Sequence, residues 1–140
     1  MILIYILILK QTYISNRTKQ TDVLTHHSGA TLFNSDITSW DTENVLSMRD
    51  QFHGATSFNK DLSTWTISQV TNLLRMFKDA SNFNVNLCSW EDTFPSYNDN
   101  WAFDIFEGSG CTYQDTPRGD RKGPFCASDC GRSPTVRFCF

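Results

Sequence analysis

The residues of this 140-residue chain with the clearest capacity for chemistry are five cysteines, all from position 88 onward: Cys88, Cys111, Cys126, Cys130 and Cys139. Thiols either bind a metal or pair as disulfides. Zinc sites use paired Cys-x2-4-Cys motifs, and Cys126 and Cys130 form one such pair. Completing a zinc site would need Cys111, Cys139 or the distant histidines, and this irregular spacing favours disulfides if the chain is exported. An odd number of cysteines then leaves at least one unpaired.

Histidine chemistry has little support. Nucleophilic catalysis needs a thiol or hydroxyl beside a histidine that a third group orients. The three histidines, His26, His27 and His53, lie in no recognisable motif with a cysteine or serine. Nor does the sequence contain a phosphate-binding, dinucleotide-binding or metalloprotease signature. We therefore expect no enzyme, no catalytic residues and no cofactor.

Two further groups of residues have a chemical and a structural interpretation. Asp36, Asp61 and Asn86 recur at one spacing and offer oxygens to Ca²⁺, but that ion needs six to eight oxygens, so hydrogen bonding within turns is the favoured role. The adhesion-type tripeptide Arg118-Gly119-Asp120 adjoins Arg121 and Lys122 in a loop rich in Pro and Gly. We expect this loop to be a solvated surface and predict no metal site.

The bulk composition narrows the class of partner. The net charge is −3 and only 19% of residues are charged, so the composition does not favour nucleic acid or an anionic membrane as a binding partner.

The first nine residues are apolar, too few for a membrane-spanning helix. Three explanations stay open for this start: a signal segment that lacks a basic beginning, a buried strand, or the start of a truncated product. Asn16 begins one N-glycosylation motif, which matters only if the chain is secreted.

The elements that would position these residues come from an internal repeat. Trp40, Trp65 and Trp90 are spaced at 25 residues, and Phe33-Asn34 recurs as Phe58-Asn59 and Phe83-Asn84 at the same spacing. Several columns agreeing at one period indicate a repeat architecture. The third copy differs, because Pro95 takes the position of Val45 and Val70, and the segment around Phe106 follows its counterpart by 29 residues rather than 25.

Within each copy, two periodicities predict two short elements. Val45, Met48, Phe52 and Ala55 have the spacing of a helix face, and the series from Val70 to Ala80 repeats it. Polar and apolar residues alternate over 36–40 and again over 61–65, which predicts a short strand. Neither element can bury its apolar side alone, so the copies are expected to stack. The predicted core comprises Phe33, Trp40, Val45, Phe52, Phe58, Trp65, Val70, Phe77, Phe83 and Trp90.

These motifs resemble the repeat of the BspA-like leucine-rich-repeat surface proteins. The resemblance rests on the string from Ala55 to Trp65, on its continuation from Val70 to Phe77, and on the copy from Leu32 to Val45. The tail motifs Cys88-Ser89-Trp90, Gly110-Cys111-Thr112 and 123–130 resemble the cysteine-bearing ends of such arrays in single-celled eukaryotes. The resemblance implies a right-handed, leucine-rich-repeat-like solenoid on a cell surface that serves adhesion or partner binding, without catalytic residues.

The predicted fold class is therefore α/β: a short leucine-rich-repeat-like solenoid, one strand and one helix per coil, with an irregular Cys-rich C-terminal cap. The expected organisation is an apolar N-terminal segment at 1–19, the repeats at 20–111 and a Cys-containing tail at 112–140. We predict disulfides between Cys88 and Cys111 and between Cys126 and Cys130, which would secure the last coil and leave Cys139 free.

The predicted function is recognition: an extracellular or cell-surface monomer that binds a protein or glycan partner. Polar positions between the core columns, such as Ser39, Thr64 and Ser89, would supply the contact surface. A second hypothesis is a purely structural role as a fragment of a longer repeat array. An enzyme is the third and least supported hypothesis.

Overall fold

The computed structural model describes residues 21–22, 29–94, 101–117 and 123–130. Strand β1 is Thr21–Asp22 and strand β2 is Val45–Ser47, and the two pair in parallel with Thr21 opposite Val45. A single turn of 3-10 helix follows at Cys88–Trp90. Almost all of the remaining described backbone consists of turns and extended connections.

The predicted α/β solenoid is wrong. The described residues contain no α-helix, and the predicted helix from Val45 begins instead with β2. The alternating stretches 36–40 and 61–65 are not strands either. The described part of the chain therefore does not consist of coils with one strand and one helix each. The leucine-rich-repeat-like fold predicted from that pattern is wrong for the same reason.

Backbone hydrogen bonds explain why no helix forms. We call residues 31–55, 56–80 and 81–109 units 1, 2 and 3. Over residues 50–55 of unit 1, every second amide donates within its own turn, as Gln51 does to Met48 and His53 does to Asp50. The intervening amides donate to unit 2, at distances of 2.8–2.9 Å: Asp50 to Leu74, Phe52 to Met76, and Gly54 to Lys78. An α-helix would need each of these amides to donate to the carbonyl four residues earlier.

Left-handed backbone recurs at matching places in the three units. Two positions per unit have a positive φ between 53° and 68°: Asp50 and Gly54, Arg75 and Asp79, and Asp104 and Gly108. Residues with an L-configuration enter this region singly rather than in helices. The turn therefore repeats every four residues. A turn that repeats every four residues places Met48 and Phe52 on the same side of the chain, as an α-helix would. The apolar residues of this segment therefore have the spacing of a helix face although no helix forms.

The predicted core residues occupy one hydrophobic cluster. Nine of the ten are buried, and Trp40 is half-buried against the cluster. Phe77 lies at its centre, with ring centroids 3.9 Å from Phe83, 5.5 Å from Phe52 and 5.8 Å from Phe106. The rings are nearly parallel, at 4° to 13°. Stacked rings at equivalent positions thus join all three units.

The buried tryptophans also satisfy backbone carbonyls of the preceding unit. The indole Nε1 of Trp65 donates to the carbonyl of Ile37 at 3.2 Å, and that of Trp90 donates to Leu62 at 3.1 Å. A buried carbonyl without a donor would be costly. Each of these two tryptophans therefore fills the core and fixes the position of its unit on the one before.

A chain of asparagines connects the units at the surface. The Oδ1 of Asn34 accepts from the amide of Asn59, whose own Oδ1 accepts from the amide of Asn84. Oδ1 of Asn84 then accepts from the amide of Thr112 at 3.2 Å. The recurring Asn after each Phe is thus an acceptor for the next unit.

Replacing Asn59 tests this chain of hydrogen bonds. We expect Asn59→Ala to lower the free energy of unfolding by about 1 kcal/mol, because the amide of Asn84 loses its acceptor. Asn59→Asp keeps an oxygen at Oδ1 and should recover most of that loss. Urea unfolding of both variants measures the difference. An equal loss in the two would mean that this hydrogen bond contributes nothing.

The two disulfides differ from the predicted pairing. Cys88 bonds to Cys130 and Cys111 bonds to Cys126, so the proposed pairs Cys88–Cys111 and Cys126–Cys130 are wrong. Both bonds hold one short segment, residues 123–130, which we call the strap. The amide of Ala127 in the strap donates to the carbonyl of Val85. The strap therefore lies along the edge of unit 3.

Candidate functional site

The positions predicted to meet a partner form one exposed row, which we call the polar face: Ser39, Thr64 and Ser89. The hydroxyl of Thr64 donates to the carbonyl of Thr38, and that of Ser89 donates to Ser63. These two hydroxyls connect each unit to the one before it. The row is consequently held in a fixed geometry by the backbone beneath it.

Short acceptor side chains shape the turns beside the polar face. Oδ1 of Asp36 accepts from the amide and the hydroxyl of Thr38, while Oδ1 of Asp61 accepts from the amide of Ser63. Asn86 makes the same turn with the amide of Cys88. The hydrogen bonds from the amide and then the hydroxyl of Thr38 lower the pKa of Asp36 below its usual 3.8. These oxygens thus serve turns within their own units.

The stretches that carry the polar face are acidic. Residues 36–44, 61–69 and 86–92 contain no Lys or Arg, and their carboxylates are Asp36, Asp41, Glu43, Asp61, Glu91 and Asp92. All but Glu91 are exposed. Lys60 adjoins this surface and interacts with Asp36, but the carboxylates outnumber it. The surface therefore has a net negative potential that attracts cationic groups.

A second surface, which we call the charged face, carries ion pairs between the units. Asp50 of unit 1 lies 2.9 Å from Nε of Arg75 in unit 2, and it also pairs with its neighbour Arg49 at 3.1 Å. Nζ of Lys78 contacts Glu107 of unit 3 and lies 3.6 Å from Asp104. Opposite charges therefore face each other at both junctions. These pairs were not among the predicted site residues, although the 25-residue spacing already aligns Asp50 with Arg75.

The Lys78–Glu107 pair gives a pH-dependent prediction. Their hydrogen bond raises the pKa of Lys78 above its usual 10.5 and lowers that of Glu107 below its usual 4.5. The stabilisation from Glu107 is therefore present above pH 4.5 and is lost as the pH falls through its lowered pKa. The stabilisation from Lys78 is present below pH 10.5 and is lost as the pH rises through its raised pKa.

We expect Lys78→Met to have a lower free energy of unfolding than the natural chain at neutral pH. This gap in unfolding free energy should narrow in acid, once Glu107 is protonated. Urea unfolding at about pH 7 and about pH 3 measures this gap. Lys60→Met is the matched control, because Lys60 forms no close ion pair within the described part of the chain and acts on Asp36 only at longer range. A gap for Lys78→Met that stays constant with pH would exclude the pair as its cause.

Several other candidate residues can be placed. Nε2 of His53 lies 3.4 Å from Asp79 on the charged face. Three of the cysteines considered as zinc ligands, Cys111, Cys126 and Cys130, are held in disulfides. Among the described residues, no group of three or more His, Cys, Asp or Glu converges as a metal site would require. The remaining candidates lie outside the described residues: His26, His27, Asn16, Cys139 and the loop at 118–122.

Comparison with known proteins identifies the family. Residues 13–108 match DUF285, described as a Mycoplasma protein of unknown function. Because this match covers more than half of the chain, the chain belongs to the DUF285 family. DUF285 is a BspA-like repeat family, so the resemblance found in the sequence is confirmed at the level of the family.

No curated protein and no solved structure matches the chain. In the part of the chain that the structure describes, no helix is both long enough and apolar enough to cross a membrane.

Proposed function

We propose that this chain is a non-enzymatic recognition protein, secreted or displayed at a cell surface, and that the polar face binds a protein or glycan partner. The observation that carries the proposal is the exposed row of Ser39, Thr64 and Ser89, in which the hydroxyls of Thr64 and Ser89 are each hydrogen-bonded to the preceding unit. A surface fixed before binding loses little conformational entropy when a partner docks.

Two further features support the proposal. Disulfides form and persist in oxidising compartments, and this chain has two in its described residues. Membership of a BspA-like family agrees with a surface role. The acidic character of the polar face favours a partner with a basic surface over a sulfated or sialylated glycan.

The test compares two matched pairs of substitutions that each remove two exposed carboxylates. Asp36→Asn with Asp61→Asn alters the polar face and keeps the turn acceptors, since Asn86 already fills the equivalent position. Asp79→Asn with Asp115→Asn removes the same charge elsewhere. The probes are fibronectin, laminin, collagen and an array of neutral, sialylated and sulfated glycans.

We expect the natural chain to bind at least one basic protein surface, and the polar-face pair to weaken that binding several-fold more than the control pair does. The effect should diminish at high salt. Binding that both pairs reduce equally would place the contact elsewhere. Binding to none of the probes would count against a recognition role.

A further inference from the structure

The strap closes the edge of unit 3 through a small set of contacts. Its Ala127 amide donates to Val85, and its Cys126 carbonyl accepts from the amide of Tyr113 at 2.9 Å. The ring of Phe125 is fully buried and meets Phe94 edge-on at 4.9 Å. These contacts cover the backbone edge at Val85 and the ring of Phe94.

The two disulfides that hold the strap differ in access. Cys111 and Cys126 are 5% and 0% exposed, whereas Cys88 and Cys130 are only half-buried. Thiol–disulfide exchange begins when a thiolate reaches one of the sulfurs, so its rate depends on access. The Cys88–Cys130 bond is therefore the one that a soluble thiol meets first.

We propose that the strap is a redox-sensitive closure that opens in two ordered steps, the Cys88–Cys130 bond first and the Cys111–Cys126 bond second. After the first step the strap is still tethered at Cys126. Only after the second step does it leave the edge at Val85 and uncover Phe94.

Each step is an exchange with a dithiol reductant. One thiolate of the dithiol attacks a sulfur of the protein disulfide, the S–S bond breaks, and the departing cysteine thiolate takes up a proton. The second thiol of the reductant then attacks the mixed disulfide and releases the other cysteine. The net change is two protein thiols gained, while the dithiol is oxidised to its own disulfide.

The contacts between units 1 and 2 do not involve the strap. The amide of Phe52 donates to Met76, and the rings of Phe52 and Phe77 stack at 5.5 Å. Unit 2 is bonded to unit 3 in the same way, with the amide of Phe77 donating to Ile105. Opening the strap therefore leaves these bonds in place.

The order of opening is measured on the oxidised full chain carrying Cys139→Ser, so that all new thiols come from the two disulfides. The chain is incubated with dithiothreitol, the thiols are alkylated at intervals, and peptides are quantified by mass spectrometry. We expect Cys88 and Cys130 to be alkylated at least about tenfold faster than Cys111 and Cys126. Equal rates, or the reverse order, would overturn the proposal.

Amide hydrogen exchange distinguishes strap opening from unfolding. With both bonds reduced, the amides of Ala127 and Tyr113 should lose nearly all of their protection, whereas those of Phe52 and Phe77 should remain at least about 100-fold more protected than these two. With Cys88→Ser and Cys130→Ser, the strap amides should stay largely protected, because the buried bond remains. Loss of protection at all four amides together on reduction would show unfolding and would contradict the proposal.

Discussion

Phe77→Ala is expected to lower the free energy of unfolding by about 3–5 kcal/mol, the usual cost of removing a fully buried phenylalanine. The ring of Phe77 contacts those of Phe52, Phe83 and Phe106, so its removal leaves a cavity where all three units meet. Urea unfolding followed by tryptophan fluorescence measures the loss.

Phe103→Ala provides the matched control. Phe103 is the same residue type, but 53% of it is exposed, so the same substitution should cost less than about 1 kcal/mol. A similar loss at both positions would mean that the stacked rings do not form the core. This comparison separates burial between the units from the general effect of deleting a phenylalanine.

Removing either disulfide is expected to lower the free energy of unfolding nearly as much as Phe77→Ala does. The chain-entropy treatment gives about 3 kcal/mol for the Cys111–Cys126 bond, with a separation of 15 residues, and about 4 kcal/mol for Cys88–Cys130, with a separation of 42. Paired Cys→Ala variants, each measured by urea unfolding, test both values. The loops overlap, so the two losses should not simply add.

Cys139→Ser is the control for the disulfide variants, since Cys88, Cys111, Cys126 and Cys130 pair with one another. It should leave the unfolding midpoint nearly unchanged. A loss of several kcal/mol from Cys139→Ser would show that another pairing exists in solution. The larger cost predicted for Cys88–Cys130 is an equilibrium quantity and is compatible with its faster reduction, which depends on access.

The sequence was sufficient to predict which side chains are buried, but it did not predict the backbone conformation that positions them. Phe52 and Phe77 are separated by the repeat period, and both are fully buried. The period says that such residues occupy equivalent places. It does not distinguish a helix from a turn that repeats every four residues, because both bring Met48 and Phe52 to one side. The decisive residues are Asp50 and Arg75, which both have a left-handed φ of 53°. Aspartate enters this region more readily than most residues, but arginine does not, so the residue types indicate the turn only in part.

For the candidate site, the sequence likewise predicted which residues are exposed but not which cysteines pair. Ser39, Thr64 and Ser89 are exposed, as residues placed between core columns should be. The disulfide pairing could not be predicted from the sequence because it depends on the path of the strap. Cys130 meets Cys88 only when residues 123–130 run along the edge at Val85, and nothing in the cysteine spacing specifies that path.

Consecutive units of this chain are joined by hydrogen bonds from amide to carbonyl where a helix was expected. Scalar couplings across hydrogen bonds, measured by NMR on labelled protein, test it most directly. We expect coupling from the amide nitrogen of Phe52 to the carbonyl carbon of Met76, and from that of Phe77 to Ile105. Coupling from Phe52 to Met48, four residues earlier, would instead show an α-helix and would rule out this joining of the units.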